Sequence, residues 1–105
     1  MNMVDTDSNI YPKLCYNLSY TYHRLDMHDK ALKYSDLGVE YCIKYRDYNG
    51  INLLYFRKGI AEYLLGYKSY MDSLKKCMSF CDILDQDESK NLLMSNCKKF
   101  YNIDF

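Results

Sequence analysis

Residues 16–41 read YNLSYTYHRLDMHDKALKYSDLGVEY, and the spacing of side chains within them sets the fold. Leu18 and Tyr22 continue a row that begins with Tyr11 and Cys15 and ends at Leu25. Steps of three and four place all five on one face of a helix predicted over about Tyr11–Arg24. Leu14 widens that face, while Lys13, Tyr16, Asn17, Tyr20, His23 and Arg24 lie mostly away from it. Asp26-Met27-His28-Asp29 is a short polar turn, and Asp29 reads as the N-cap of a second helix that ends near Tyr45. Within this second helix Ala31, Ser35, Gly38 and Cys42 form a stripe of small side chains at helical spacing. A helix-interior Gly costs about 1 kcal/mol relative to Ala. Such a stripe makes sense where a neighbouring helix backbone packs closely against it.

Working outward, Pro12 marks the start of the first helix, where its missing N–H costs nothing. Residues 1–9 read as a flexible, polar lead-in. Downstream, Asp47-Tyr48-Asn49-Gly50 is the strongest breaker cluster in the chain. It predicts a third helix over about Ile51–Leu65, stopped by Gly66 in the left-handed conformation. A fourth helix is predicted over about Ser69–Leu84, capped by Ser69, with Leu74, Cys77, Met78, Cys81 and Leu84 inward. Asp85 followed by Glu88 reads as a variant capping box opening a fifth helix over about Asp87–Tyr101, with Leu92, Leu93, Cys97 and Phe100 inward.

The composition agrees with an all-α fold. The 105 residues are 49% apolar and 27% charged, with one Pro and four Gly, which suits helices rather than many-turned sheets. One domain over residues 10–105 is expected. Fourteen basic residues balance fourteen acidic ones, so no electrostatic footprint for direct nucleic-acid contact is expected. No apolar run approaches the roughly 18 residues of a membrane span, and the N-terminus has no signal-peptide pattern. Five Cys without a CxxC pair suit reduced thiols and a cytoplasmic location better than a disulfide framework. Thirteen Tyr and no Trp supply large amphipathic contact surface.

The chain also repeats itself. Residues 16–41 resemble a tetratricopeptide (TPR) unit, with Leu18 and Tyr22 at the Leu and Tyr positions and Ala31 and Gly38 at the small positions of the second helix. Ser19 stands in place of the usual Gly, and Ser35 in place of the usual aromatic. Residues 55–81, YFRKGIAEYLLGYKSYMDSLKKCMSFC, resemble a second, stretched copy through Tyr55, Gly59 and Gly66. Ser19 and Gly59 are 40 positions apart, against about 34 in the standard repeat. YFRKGIAEYLLG and the final NCKKFYNIDF further resemble the C-terminal repeats of PlcR-like regulators, peptide-sensing transcription factors of the quorum-sensing type. The resemblance implies a right-handed superhelical stack of about five antiparallel helices: two degenerate repeats and a C-terminal capping helix. It also implies a peptide or protein segment as partner, a possible homodimer, and a DNA-binding domain outside this stretch. The alternative expectation is a TPR scaffold for protein–protein interaction or self-association, with no sensory role.

In TPR arrays the first helix of each repeat makes the inner wall. By that resemblance the peptide-binding groove is lined by Lys13, Tyr16, Asn17, Tyr20, His23 and Arg24 from repeat one, and by Asn52, Phe56, Arg57, Ile60 and Tyr63 from repeat two. The chemistry suits a peptide. Asn17 bonds amide groups of either polarity, Lys13 and Arg57 take a carboxylate, and Tyr and Phe hold side chains. The same residues equally suit an ordinary solvated helix face. No metal site, cofactor or catalytic group is expected. Cys77 and Cys81 lie four apart on one helix, unlike the turn-borne pairs of zinc sites. There is no GxSxG, HExxH or phosphate-binding Gly loop. The fifth helix is expected to cover one end of the stack, leaving the opposite end, near Tyr11, tacky.

Overall fold

The computed structural model describes the backbone over residues 4–104 and the side chains over residues 10–104. It is all-helical, with no strand among the described residues. The five helices are α1 (Val4–Arg24), α2 (His28–Tyr45), α3 (Ile51–Leu65), α4 (Tyr70–Ile83) and α5 (Asp87–Tyr101). α2 and α3 begin within a residue of their predicted starts, and α3 ends where expected, at Gly66 with φ of 82°. α1 differs: its backbone is helical from Val4, ahead of the start expected near Tyr11. Pro12 therefore lies inside α1. An interior Pro gives up one backbone hydrogen bond, and here Pro12 is buried.

All five helices stop by one device. Asp26, Arg46, Gly66, Asp85 and Asn102 each take a positive φ. The next residue then donates its N–H back into the last helical turn. Met27 reaches the Tyr22 carbonyl at 2.9 Å, Asp47 that of Cys42 at 3.0 Å, Tyr67 that of Glu62 at 2.8 Å, Gln86 that of Cys81 at 2.8 Å and Ile103 that of Cys97 at 3.1 Å. These bonds satisfy carbonyls that a helix end otherwise leaves unpaired. Side-chain N-caps play no part in α2–α5. Met27, not Asp29, precedes α2. The Ser69 hydroxyl donates to the Glu62 carboxylate rather than capping α4. Gln86 precedes α5 without a cap bond, which corrects the capping box expected from Asp85 and Glu88.

Short turns fold each helix back on the one before. α1 packs on α2, α2 on α3 and α3 on α4, while α1 also touches α3 and α5 closes against α4. The small-residue stripe does what its spacing predicts. Ala31, Ser35, Gly38 and Cys42 are all buried. A Cβ at Gly38 would stand 2.6 Å from Leu54 Cδ2 and 3.0 Å from Cys15 Cβ, so α1, α2 and α3 meet at this one point. Nearby the buried Ser19 hydroxyl donates to the Ala31 carbonyl at 2.7 Å, pinning α1 to α2. Gly59 repeats the arrangement toward α4, where a Cβ would lie 2.6 Å from Leu74 Cδ2. Lys58 pairs with Asp36 and ties α3 to α2. Glu62 accepts from Ser69 and Ser73 and ties α3 to the start of α4.

Close approach decides which face of α1 turns inward. Pro12, Cys15 and Ser19 are buried, whereas Tyr11, Leu14 and Leu25 are exposed. The expected face was therefore rotated: the glycine and serine contacts are filled by Leu54 of α3 and Leu74 of α4, and α1 presents the small Cys15 and Ser19 there rather than its Leu side chains. The same correction applies to α5, where Leu93 and Cys97 are buried while Leu92 and Phe100 are exposed. The core includes Ile51, Leu54, Ile60 and Leu74, the rings of Tyr55 and Phe56, and the thiols of Cys15, Cys42, Cys77, Cys81 and Cys97. All five Cys are free and buried, and burial pushes the Cys42 and Cys97 thiols up to about 11.

Candidate functional site

A cavity of about 640 Å³ opens between α1, the α2–α3 turn and α3. Pro12, Lys13, Tyr16 and Asn17 line it from α1, Asp47, Asn49 and Gly50 from the turn, and Leu53 from α3. Three of the predicted groove residues, Lys13, Tyr16 and Asn17, are thus brought together. The turn residues and Leu53 were not predicted, because only the tertiary fold brings the turn against α1.

The same surface continues along both helices. Tyr20 lies one turn beyond Tyr16 on α1, and Arg57 one turn beyond Leu53 on α3. Arg57 is 7% exposed, and its guanidinium carbon sits 5.3 Å from the Tyr20 ring centre and 4.9 Å from that of Phe56. Arg24 reaches the same Tyr20 ring at 5.9 Å. Arg57 Nε is buried with no hydrogen-bond partner. The ion pairs among the described residues all lie elsewhere, at His28–Asp26, Lys58–Asp36, Lys76–Asp72, Lys90–Asp82 and Lys98–Asp104. Burial pushes the Arg57 pKa down, opposed by Tyr16, Tyr101 and Tyr20. His23 is half-buried, 3.4 Å from the Tyr101 hydroxyl, with its ring 5.6 Å from that of His28. Burial, Arg57 and His28 hold His23 below its usual range, against Asp26. Burial raises Tyr101.

The rest of the second predicted set is placed differently. Asn52, Phe56 and Ile60 do not line an open wall: all three are buried. The Asn52 amide donates to Gln86 Oε1 at 2.8 Å and to Cys81 Sγ at 3.4 Å, so it faces α4 and the α4–α5 turn. Tyr63 is half-buried, and its hydroxyl donates to the Tyr101 carbonyl at 3.0 Å, holding the end of α5. α3 is the central helix, covered by α2 and α4 and touched by α1, and a helix in that position is buried nearly all round. Of its predicted groove residues, only Arg57 and Phe56, whose ring lies against the guanidinium, belong to the corner beside Tyr20.

Elsewhere on α1, Ile10, Tyr11, Leu14 and Leu25 leave an exposed apolar row at the end of the stack. Among the described residues no three His, Cys, Asp or Glu side chains are grouped to hold a metal ion. No helix of the described residues is long and apolar enough to cross a membrane. Compared with family models, curated proteins and solved structures, the chain matches none.

Proposed function

We propose that this chain is a binding module of the tetratricopeptide kind, which holds a peptide or protein segment between the first helices of two successive hairpins. On this reading α1–α2 and α3–α4 are the repeats and α5 is the closing helix. The observation that carries it is the cavity between α1 and α3, large enough for a few residues of extended chain. Its polar groups suit a peptide backbone. The exposed Asn17 and Asn49 each offer an amide donor and acceptor, and the Gly50 lining adds no side chain. The segment's side chains rest on Tyr16, Leu53 and Pro12. In the PlcR-like reading this is the sensory part of a transcriptional regulator. Binding then shifts the packing of α1 against α3, and the shift passes to a DNA-binding domain.

The test is selection of binders from a displayed random-peptide library, followed by calorimetry on wild type, Asn17→Ala and Lys13→Ala. Each substitution should weaken the selected peptides about fivefold, as loss of one hydrogen bond does, without lowering the melting temperature. Unchanged affinity in both variants overturns the assignment of the groove.

A second reading, self-association without sensing, is favoured by the exposed row of Ile10, Tyr11 and Leu14. Analytical ultracentrifugation decides it: a dimer that dissociates on Leu14→Glu supports this reading, and a monomer at all concentrations removes it.

A further inference from the structure

We infer that Asp47 is the receptor for a primary ammonium group of the bound segment, in the cavity between α1, the α2–α3 turn and α3. This rests on the segment-binding reading and names the chemistry that the cavity prefers.

Asp47 stands apart from the other acids of the described residues. Those are either exposed to water or, like Asp36 and Glu62, bonded to a neighbouring side chain. Asp47 is neither. It is half-buried, and the ion pairs among the described residues all lie elsewhere. Its carboxylate is close enough to the fully buried Cys42 thiol to help burial push that thiol up. A carboxylate drawn partly out of water calls for a counter-charge. Lys13 lines the same cavity but does not supply it, for no ion pair joins the two. The two charges are carried by different walls, Lys13 by α1 and Asp47 by the turn, with the cavity between them.

The rest of the lining fits an ammonium ion. Such a group carries three diverging N–H donors and no acceptor. Acceptors come from two walls: the Asp47 carboxylate and the Asn49 amide oxygen from the turn, and the Asn17 amide oxygen from α1. A set spread over two walls suits diverging donors better than the flat fork of a guanidinium. Tyr16 adds an aromatic wall, which attracts cations. Gly50 leaves the turn without a side chain to bar the approach, and Pro12 and Leu53 receive the adjoining carbon atoms. Lys13, a donor only, is then left to a carbonyl of the segment's backbone. The ammonium group is either a chain start or a lysine side chain.

Nuclear magnetic resonance titration of the isotopically labelled full chain at pH 6.5 tests this with three probes. One is tetraalanine amide with a free amino terminus, the second an acetylated, amidated tetrapeptide with one lysine among alanines, and the third N-acetyl-tetraalanine amide. The backbone amides of Asp47 and Gly50 and the side-chain amides of Asn17 and Asn49 should shift with one or both charged probes. These should bind about tenfold more tightly than the neutral probe, as a charge-assisted hydrogen bond provides. The charged probe that acts identifies the source of the ammonium group. The advantage of a free amino terminus should fade by pH 9, since an ordinary α-amino group loses its proton at about 7.7–8.0, whereas a lysine keeps it. Asp47→Asn removes the charge and keeps the shape. Asp47 enters the fold through its backbone N–H, bonded to the Cys42 carbonyl at 3.0 Å, so this variant should fold. In it the charged probes should fall to the affinity of the neutral one. Lining resonances that respond equally to all three probes leave the groove standing and overturn the ammonium site. A tenfold preference that survives Asp47→Asn overturns the assignment to Asp47. Shifts with the charged probes alone uphold the ammonium site while removing the backbone groove, and silence under every probe overturns both.

Discussion

Gly38→Ala is the sharpest test of how α1, α2 and α3 meet. In an exposed helix interior this change stabilises by about 1 kcal/mol, because Gly loses more conformational freedom on folding. At position 38 the added methyl would stand 2.6 Å from Leu54 Cδ2 and 3.0 Å from both Leu54 Cδ1 and Cys15 Cβ. One neighbour is the end of a side chain that can turn. The other is a Cβ fixed to the α1 backbone, so relief requires α1 to move. Overpacking of a tight core typically costs about 1–3 kcal/mol. Set against the helix gain, the net is a loss of up to about 2 kcal/mol. For a domain of this size that is a fall in melting temperature of about 4–8 °C per kcal/mol. Thermal unfolding followed by circular dichroism measures it. A double-mutant cycle with Leu54→Ala isolates the cause. Leu54→Ala alone should cost about 2–5 kcal/mol. Adding Gly38→Ala to it should cost less than it does in the wild type, since the Leu54 methyls are gone and only the Cys15 contact remains. A rise in melting temperature for Gly38→Ala alone would refute the close three-helix contact.

Three other outcomes are expected. His23 is held below its reference value of 6.5 in the folded chain, so its contribution is fully present above pH 6.5. It is lost as pH falls toward the lower folded value, where the unfolded chain binds the proton first; His23→Gln should flatten the melting temperature between pH 7.5 and 5.5. The Cys42 and Cys97 thiols, raised from 9.0 to about 11, should resist a thiol reagent at pH 8 until urea is added. Stability should also decline as pH rises from 9 to 11, since only the unfolded chain ionises there. Asn52→Asp places a carboxylate at a position with no exposure and should lower stability at pH 7 by about 3 kcal/mol. Part of that should return at pH 4 as the acid protonates, and an unchanged urea midpoint at pH 7 would show that position 52 is open to water.

α3 and the small-residue stripe of α2 were legible because their signals are local. Asn49-Gly50 and Gly66 bracket α3 at both ends, and Ala31, Ser35, Gly38 and Cys42 recur at helical spacing. The other helices also end within a residue of expectation, but the backbone conformation that stops them was not foreseen. Asp26, Arg46, Asp85 and Asn102 adopt the left-handed conformation, and nothing in an Arg announces that. The inward faces of α1 and α5 were partly misread for another reason. Cys15, Leu93 and Cys97 are buried as expected, but hydrophobicity ranks Leu14 above Pro12 and Ser19, and it is Pro12 and Ser19 that are buried. The candidate site was half legible. Lys13, Tyr16 and Asn17 follow from their place on α1, whereas Asp47, Asn49 and Gly50 join them through the turn of the chain. Asn52, Phe56 and Ile60 lie one beside another on a helix too central to offer a wall.

The packing and the candidate site depend on the same contact. Small side chains at Ser19, Ser35 and Gly38 draw α1 against α2 and α3, and that approach brings the α1 residues Tyr16 and Tyr20 to Leu53 and Arg57 of α3. Rings pack against one another between and beside the helices. Tyr22 stacks on Tyr34 at 5.5 Å, Tyr55 on Phe80 at 5.7 Å, and Tyr63 meets Tyr101 edge-on at 6.0 Å. Arg57 lies against two other rings, those of Tyr20 and Phe56. It follows that a wedge at Gly38 acts on recognition as well as on stability. By pushing α1 away from α3 it should part Tyr20 from Arg57 while the chain is still folded. In Gly38→Ala below its melting transition, the Arg57 Nε–H and Tyr20 resonances should then shift, while those around Cys77 and Leu74 stay in place. Movement at the α3–α4 contact with none at Tyr20 would mean that the groove is set by something other than the small-residue stripe.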